Sequence, residues 1–162
     1  MMIEPARCIN VGIADMRVSS EPAHILRTVL GSCVGICLYD KENQVGGLAH
    51  IMLPVMKAKG PVARYADTAI PALIREMVKW GAASENLIAK ITGGATMFNL
   101  TSKSSISSIG LDNAAKVKEV LAAHKIKLSG EDIGGNFSRT INFFMESGDV
   151  VVRSFGRADI VL

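Results

Sequence analysis

Two residues whose side chains can do nucleophilic chemistry stand near each other in the sequence. Cys33 follows the turn-forming pair Gly31-Ser32 and begins an apolar run, and His50 lies within the next apolar run. An imidazole can take the proton of a thiol and hold the thiolate as an ion pair, and the charged imidazole can then protonate a leaving amine. The pair predicts attack of a thiolate on an amide or ester carbonyl.

The stretch between the two residues indicates how they meet. Residues 40–44 are polar and rich in turn formers, and apolar runs flank them, which is typical of a β-hairpin. With the turn centred between Lys41 and Glu42, Cys33 lies opposite His50 on one face of the sheet. A register shifted by two residues keeps them diagonal neighbours on that face, whereas a shift of one strand by one residue separates them.

The attacked carbonyl would become an oxyanion, which needs N–H donors aimed at it. The backbone N–H groups of Gly31, Ser32 and Cys33 lie in a turn that could present them, and Gly31 tolerates unusual φ angles. The alternative is structural, because a cysteine in a strand is more often a small buried apolar residue than a nucleophile. The residues alone leave catalysis and packing both open, and for Cys8 and Cys37 we expect packing.

The composition bounds the class of protein. A chain of 162 residues, of which 49% are hydrophobic, predicts a single folded domain over residues 1–162. We find no apolar run of membrane-spanning length and no signal-peptide pattern, so we expect a cytoplasmic protein with no direct membrane insertion. The scattered basic residues and few aromatics argue against nucleic acid as a partner. We expect no metal and no cofactor, because zinc-ligand spacing and phosphate-binding glycine motifs are missing.

The periodicity of apolar residues predicts an α+β fold with mainly antiparallel sheets and two helices on one side. The helices are expected over residues 64–80 and about 111–124, the second with Asp112 or Asn113 as its N-cap. Residues 99–108 are expected to form a serine-rich loop. Besides the hairpin, strands are expected over residues 8–13, 24–30, 87–91, 126–128, 139–145 and 150–155.

The sequence resembles the CheD family of chemoreceptor glutamine deamidases. The resemblance is carried by five segments in family order: LGSCV (30–34), AHIMLP (49–54), YADTA (65–69), KITGGATMF (90–98) and EDIGGN (131–136). It implies an α/β/β sandwich related to bacterial toxin deamidases. It also implies a cytoplasmic chemotaxis enzyme that hydrolyses glutamine side chains of methyl-accepting chemotaxis receptors to glutamate and ammonia.

The resemblance also implies roles for residues. The family nucleophile matches Cys33, the general base matches His50, and Thr28 is the candidate for a threonine upstream of the cysteine. In some relatives that threonine stands one position earlier, where this chain has Arg27. A CheC-type phosphatase, which competes with receptors for family members, is an expected partner. Two other functions stay open: a non-catalytic adaptor that binds receptors or CheC, and a thiol hydrolase of receptor methyl esters.

Overall fold

The protein has three layers in the computed structural model, which describes residues 5–97 and 108–162. The strands of the described part are β1 (Arg7–Asn10), β2 (Met16–Ser19), β3 (His24–Leu30), β4 (Val34–Asp40), β5 (Val45–Ile51), β6 (Ile88–Gly93), β7 (Lys127–Ile133), β8 (Arg139–Phe144), β9 (Val150–Arg153) and β10 (Ile160–Val161). The helices are α1 (Ala66–Lys79) and α2 (Ile109–Ala123). The first sheet has the order β1-β3-β8-β9-β10 and the second β2-β5-β4-β6-β7.

Two apolar cores hold the layers together. One lies between the helices and the second sheet, where Ile36 and Ile51 pack with Leu73 and Val117. The other lies between the two sheets, where Leu48 packs with Leu26 and Phe143. Both helices therefore cover one side of the two stacked sheets, and the predicted α+β class with an α/β/β sandwich is confirmed.

The central hairpin formed by β4 and β5 is buried on both of its faces. Its register pairs Gly35 with His50, so Cys33, just before β4, lies diagonally from His50 on the same face. The prediction that Cys33 lies directly opposite His50 is wrong, and the register shifted by two residues is the one found. The turn sits further along the chain because the carboxylate of Asp40 accepts the N–H of Asn43 at 3.1 Å.

Several predicted boundaries differ from those of the structure. The helix expected to begin near residue 111 begins at Ile109, with Ser108 preceding it, so neither Asp112 nor Asn113 is the N-cap. The first strand ends at Asn10, β7 is longer than expected, and β2 and β10 were not predicted. The serine-rich stretch 99–108 lies almost wholly outside the described residues. In residues 5–97 and 108–162, neither helix has the length and apolar character that crossing a bilayer requires.

Candidate active site

Two segments of the chain fix the backbone of His50. It lies in β5, and its backbone N–H donates to the carbonyl of Asp15 at 3.0 Å. Its own carbonyl accepts the N–H of Ala14 at 2.9 Å, so the turn between β1 and β2 wraps the end of β5. The side chain points into the space between the two sheets and is only 2% exposed. The imidazole therefore has little freedom to reorient.

Thr28 fixes which ring nitrogen of His50 carries the proton. The Thr28 hydroxyl donates to the carbonyl of Val11 at 2.7 Å, and its oxygen lies 2.7 Å from His50 Nδ1. A hydroxyl has one proton, so Thr28 Oγ1 can only accept from the ring, and Nδ1 is the protonated nitrogen. The Nε2 atom of the neutral ring therefore carries the lone pair that a general base needs.

That Nε2 atom is buried and has no hydrogen-bond partner among the described residues. Buried polar atoms are nearly always satisfied, so an unsatisfied one calls for an explanation. Cys33, half-buried at the end of the same face, is the diagonal neighbour of His50. No hydrogen bond joins the two side chains within the described part of the chain, so the ring has an open acceptor on the face that Cys33 shares.

Burial disfavours the charged form of both groups. It raises the pKa of the Cys33 thiol above its ordinary value, although the backbone N–H of the same residue acts in the opposite direction. Burial also lowers the pKa of His50, opposed by the carbonyl of Val11. Both shifts act against the expected thiolate–imidazolium ion pair.

Hydrogen bonds fix the carbonyl groups of the turn that carries Cys33. The Gly31 carbonyl accepts from the N–H of Ala95 at 3.0 Å, and that of Cys33 accepts from Gly94 at 2.9 Å. The Ser32 carbonyl accepts from the Asn113 side chain at 3.1 Å. Across a trans peptide the N–H points opposite to the preceding carbonyl. The N–H groups of Ser32 and Cys33, which donate to no described residue, are thus turned away from these anchors.

Gly93, the last residue of β6, lets the backbone pass close to this turn. Its φ angle is +110°, a conformation that side chains disfavour, and a Cβ there would collide with the carbonyl oxygen of Cys33. The turn containing Gly31, Ser32 and Cys33 is therefore held by backbone contacts with the last residue of β6 and the two residues that follow it.

Comparison with known sequences identifies the family of this chain. A sequence model described as CheD chemotactic sensory transduction matches residues 52–154. A probable chemoreceptor glutamine deamidase CheD of Syntrophomonas wolfei is 44% identical over 160 residues, covering 97% of this chain and 99% of the relative. A protein of the same name from Clostridium kluyveri is 47% identical over 152 residues, covering 91% and 93%. The chain belongs to the CheD family.

One solved structure superposes on this chain with low similarity. The hypothetical protein YfiH of Bacillus licheniformis superposes with a TM-score of 0.49 at 12% identity. The superposition covers 79% of this chain, which spans 59% of that protein.

Three of the residues proposed for this CheD-family site, Thr28, Cys33 and His50, lie in one region of the structure. Arg27, the alternative to Thr28, does not. Thr28 faces His50, whereas Arg27 points to solvent on the other face of β3.

Cys37 is buried between the sheets, as expected, and burial raises its pKa far above the ordinary range. The expectation that Cys8 is packed is wrong. It is exposed, because β1 is an edge strand with one covered side at most.

Sequence reasoning missed two groups of this site. The carbonyl of Val11 orients Thr28, and no side-chain pattern could have indicated a backbone group. Asn113 is fully buried and contacts the Cys33 turn, although its position in the sequence suggested a helix cap. Only its polarity on the otherwise apolar face of α2 could have signalled a role.

A cavity of about 500 Å³ lies between the segment that follows β5 and the start of α2. Its lining includes Leu53 and Tyr65 from the segment around the end of β5, and Ile109 and Asp112 from the start of α2. The segment that follows β5 thus forms one wall of a groove. Within the described residues, no cluster of three or more His, Cys, Asp or Glu side chains is arranged to hold a metal ion.

Proposed function

We propose that this protein hydrolyses the side-chain amide of selected glutamines on methyl-accepting chemotaxis receptors, giving glutamate and ammonia. The names of both relatives support this substrate class. One observation carries the chemistry: the buried imidazole of His50 is bound through Nδ1 to Thr28, and its unsatisfied Nε2 shares a face with Cys33. Such an atom can act as a general base.

In the first half of the reaction, His50 Nε2 takes the Cys33 proton as the sulfur attacks the glutamine Cδ. The new S–C bond forms while the carbonyl electron pair moves to oxygen. The N–H groups of Ser32 and Cys33, and of Gly31 at the edge of the turn, are the donors available to that oxyanion. When the oxyanion collapses, the C–N bond breaks and the imidazolium gives its proton to the departing ammonia.

In the second half, the Cys33 thioester is hydrolysed. Nε2 of His50, neutral again, takes a proton from water, and the hydroxyl adds to the thioester carbonyl. Collapse of this second oxyanion breaks the C–S bond and the thiol regains its proton from His50. Thr28 keeps Nδ1 protonated throughout, so the same Nε2 atom accepts and returns each proton.

The test uses a purified cytoplasmic receptor fragment. We expect ammonia release and conversion of glutamine to glutamate in receptor peptides by mass spectrometry. Both are expected to vanish in Cys33→Ala and to persist in the matched control Cys8→Ala, whose cysteine is exposed and lies in another sheet. Continued deamidation by Cys33→Ala would overturn the nucleophile assignment. Methanol release without ammonia would instead identify a receptor methyl esterase, and receptor binding without turnover an adaptor.

A CheC-type phosphatase is the second partner we propose, and the cytoplasm is the compartment in which both partners would be met. The family resemblance supports this regulation by competition for the enzyme. Adding a CheC-type protein to the ammonia assay should lower the rate, and raising the receptor concentration should restore it. An unchanged rate with saturating phosphatase would contradict the proposal.

A further inference from the structure

Asn113 is a polar residue at a position that packing alone does not explain. It is fully buried on the face of α2 that covers the second sheet. Its Nδ2 donates to the carbonyl of Ser32 at 3.1 Å and to that of Met52 at 2.9 Å, which uses both amide hydrogens. These two bonds fix the orientation of the amide, because exchanging its oxygen and nitrogen would oppose oxygen to two carbonyls.

The two bonds of Asn113 join the segments that carry the two reacting side chains. Ser32 directly precedes Cys33, and Met52 lies two residues after His50, where β5 has ended. The Oδ1 atom of Asn113 is buried without a partner among the described residues. Burying an amide that is only partly satisfied is unfavourable, so an apolar side chain would serve the core better. The two carbonyls that the amide binds therefore explain why a polar residue stands here.

The Ser32 bond has a direct consequence at the nucleophile. Because the Ser32 carbonyl points at Asn113, the N–H of Cys33 on the same peptide points the opposite way. This N–H lies close enough to the sulfur to lower the pKa of the thiol, against the larger effect of burial. The donor that Asn113 orients is thus at the atom that attacks the substrate.

Helix α2 is seated firmly enough to act as a fixed support. A Cβ on Gly110 would collide with the carbonyl oxygen of Ala95, so backbone touches backbone at this point. The N–H of Ala95 in turn donates to the Gly31 carbonyl at 3.0 Å. The start of α2, the segment after β6 and the Cys33 turn therefore form one contiguous brace.

We propose that Asn113 is a positioning residue for the deamidation, which holds the Ser32–Cys33 peptide so that the Cys33 N–H stabilises the oxyanion. This inference rests on the proposed function. Two reactions of the Cys33 sulfur should depend on this N–H to different degrees. Attack on an amide carbonyl creates an oxyanion and needs the oriented N–H, whereas alkylation by iodoacetamide displaces iodide and creates none.

The experiment compares the two reactions in Asn113→Leu, which removes both donors at similar volume. We expect kcat for receptor deamidation to fall about tenfold with KM unchanged, a smaller loss than removing an oxyanion donor outright. We expect the rate of iodoacetamide labelling at Cys33, mapped by peptide mass spectrometry, to fall by no more than about threefold. That reaction makes no oxyanion, and burial, which the substitution preserves, has a larger effect on the pKa of the thiol than the Cys33 N–H. Val117→Ala, a buried residue one turn further along α2, is the matched control for lost packing and should leave both rates unchanged.

Parallel losses in both reactions, or an unchanged kcat, would overturn the inference. If Asn113→Leu does not fold, the same two rates are read on Asn113→Asp, which keeps the size of the side chain. Failure of the proposed function has a different signature, since wild-type protein would then release no ammonia from receptor while Cys33 still reacted with iodoacetamide.

Discussion

The two ends of the β4–β5 hairpin bury polar groups in opposite ways. At the turn end, Asp40 is fully buried and its carboxylate accepts four hydrogen bonds, from the backbone N–H groups of Asn43 and Ala83 and the side chains of Asn43 and Asn86. At the open end, His50 is almost as buried but its Nε2 is unsatisfied in the described part of the chain. The buried carboxylate of Asp40 is thus saturated, whereas the buried ring of His50 keeps one open acceptor.

The pKa directions express the same contrast. Burial alone would raise the pKa of Asp40, but its hydrogen bonds outweigh that effect and hold the pKa below the ordinary value. At His50, burial dominates and lowers the pKa, which disfavours the charged ring. The surroundings of Asp40 therefore favour its charged form, which joins the turn to the segment after α1, whereas those of His50 favour the neutral form.

The largest effect is expected from changing the open end. In His50→Gln, kcat for deamidation should fall about 1,000-fold, because no other described group can accept the Cys33 proton. Stability should fall by only about 1–2 kcal/mol, the cost of losing the Nδ1 hydrogen bond to Thr28, since Nε2 contributes no hydrogen bond to the fold. Ammonia release and urea unfolding measure the two quantities. A large loss of stability would show that His50 is structural and break the contrast.

The turn end should respond in the reverse way. Asp40→Asn should lower the free energy of unfolding by about 3 kcal/mol, because an amide opposes some of the donors that a carboxylate accepts. The kcat value should stay within about twofold at a temperature where the variant is folded, because no catalytic group is touched. Urea unfolding and the ammonia assay check both statements. A variant as stable as wild type would mean that the four bonds of Asp40 contribute little.

Thr28 lies between these extremes, because it supports the structure and orients the base. Thr28→Val removes the hydroxyl at constant shape, frees the ring to adopt the other tautomer, and should lower kcat/KM roughly 10- to 100-fold. It should also cost about 1–2 kcal/mol, because the Val11 carbonyl loses its donor. Thr28→Ser is the control and should restore most of both. A Thr28→Val variant of normal activity would remove Thr28 from the site.

The pH dependence gives the smallest effect. Because the folded-state pKa of His50 is lowered, the acid limb of kcat/KM should lie below 6.5, the ordinary value for histidine. Below that value the unfolded chain binds a proton that the folded one resists, so stability from this group falls as pH drops toward the folded-state pKa. The fall should be smaller in His50→Gln, as urea midpoints at several pH values would show. An acid limb above pH 6.5 would contradict a buried neutral imidazole.

The hairpin was predictable because side chains alternate along a strand, so any even shift of register leaves Cys33 and His50 on one face. The register itself was not predictable, because Asp40 at the turn accepts hydrogen bonds from Ala83 and Asn86, which are distant in sequence. The assignment of Thr28 came from the family resemblance, and its contact with His50 depends on how the two sheets stack. Contacts between residues this far apart along the chain leave no local pattern in the sequence.

The predictions for Cys8 and Asn113 were wrong because long-range contacts decide both positions. Cys8 looked like a core residue from the alternation around it, but the position of β1 at a sheet edge is a property of the whole topology. Asn113 resembled a helix cap because such residues favour caps, yet the start of α2 is set by the close approach of Gly110 to the segment after β6.

The whole mechanism depends on an unprotonated Nε2 at His50. ¹⁵N NMR of histidine-labelled protein at neutral pH, with His50 assigned by comparison with His50→Gln, shows which nitrogen carries the proton. We expect a neutral ring whose proton resides on Nδ1, where Thr28 accepts it. A proton on Nε2, or a charged imidazolium in the resting protein, would contradict this mechanism.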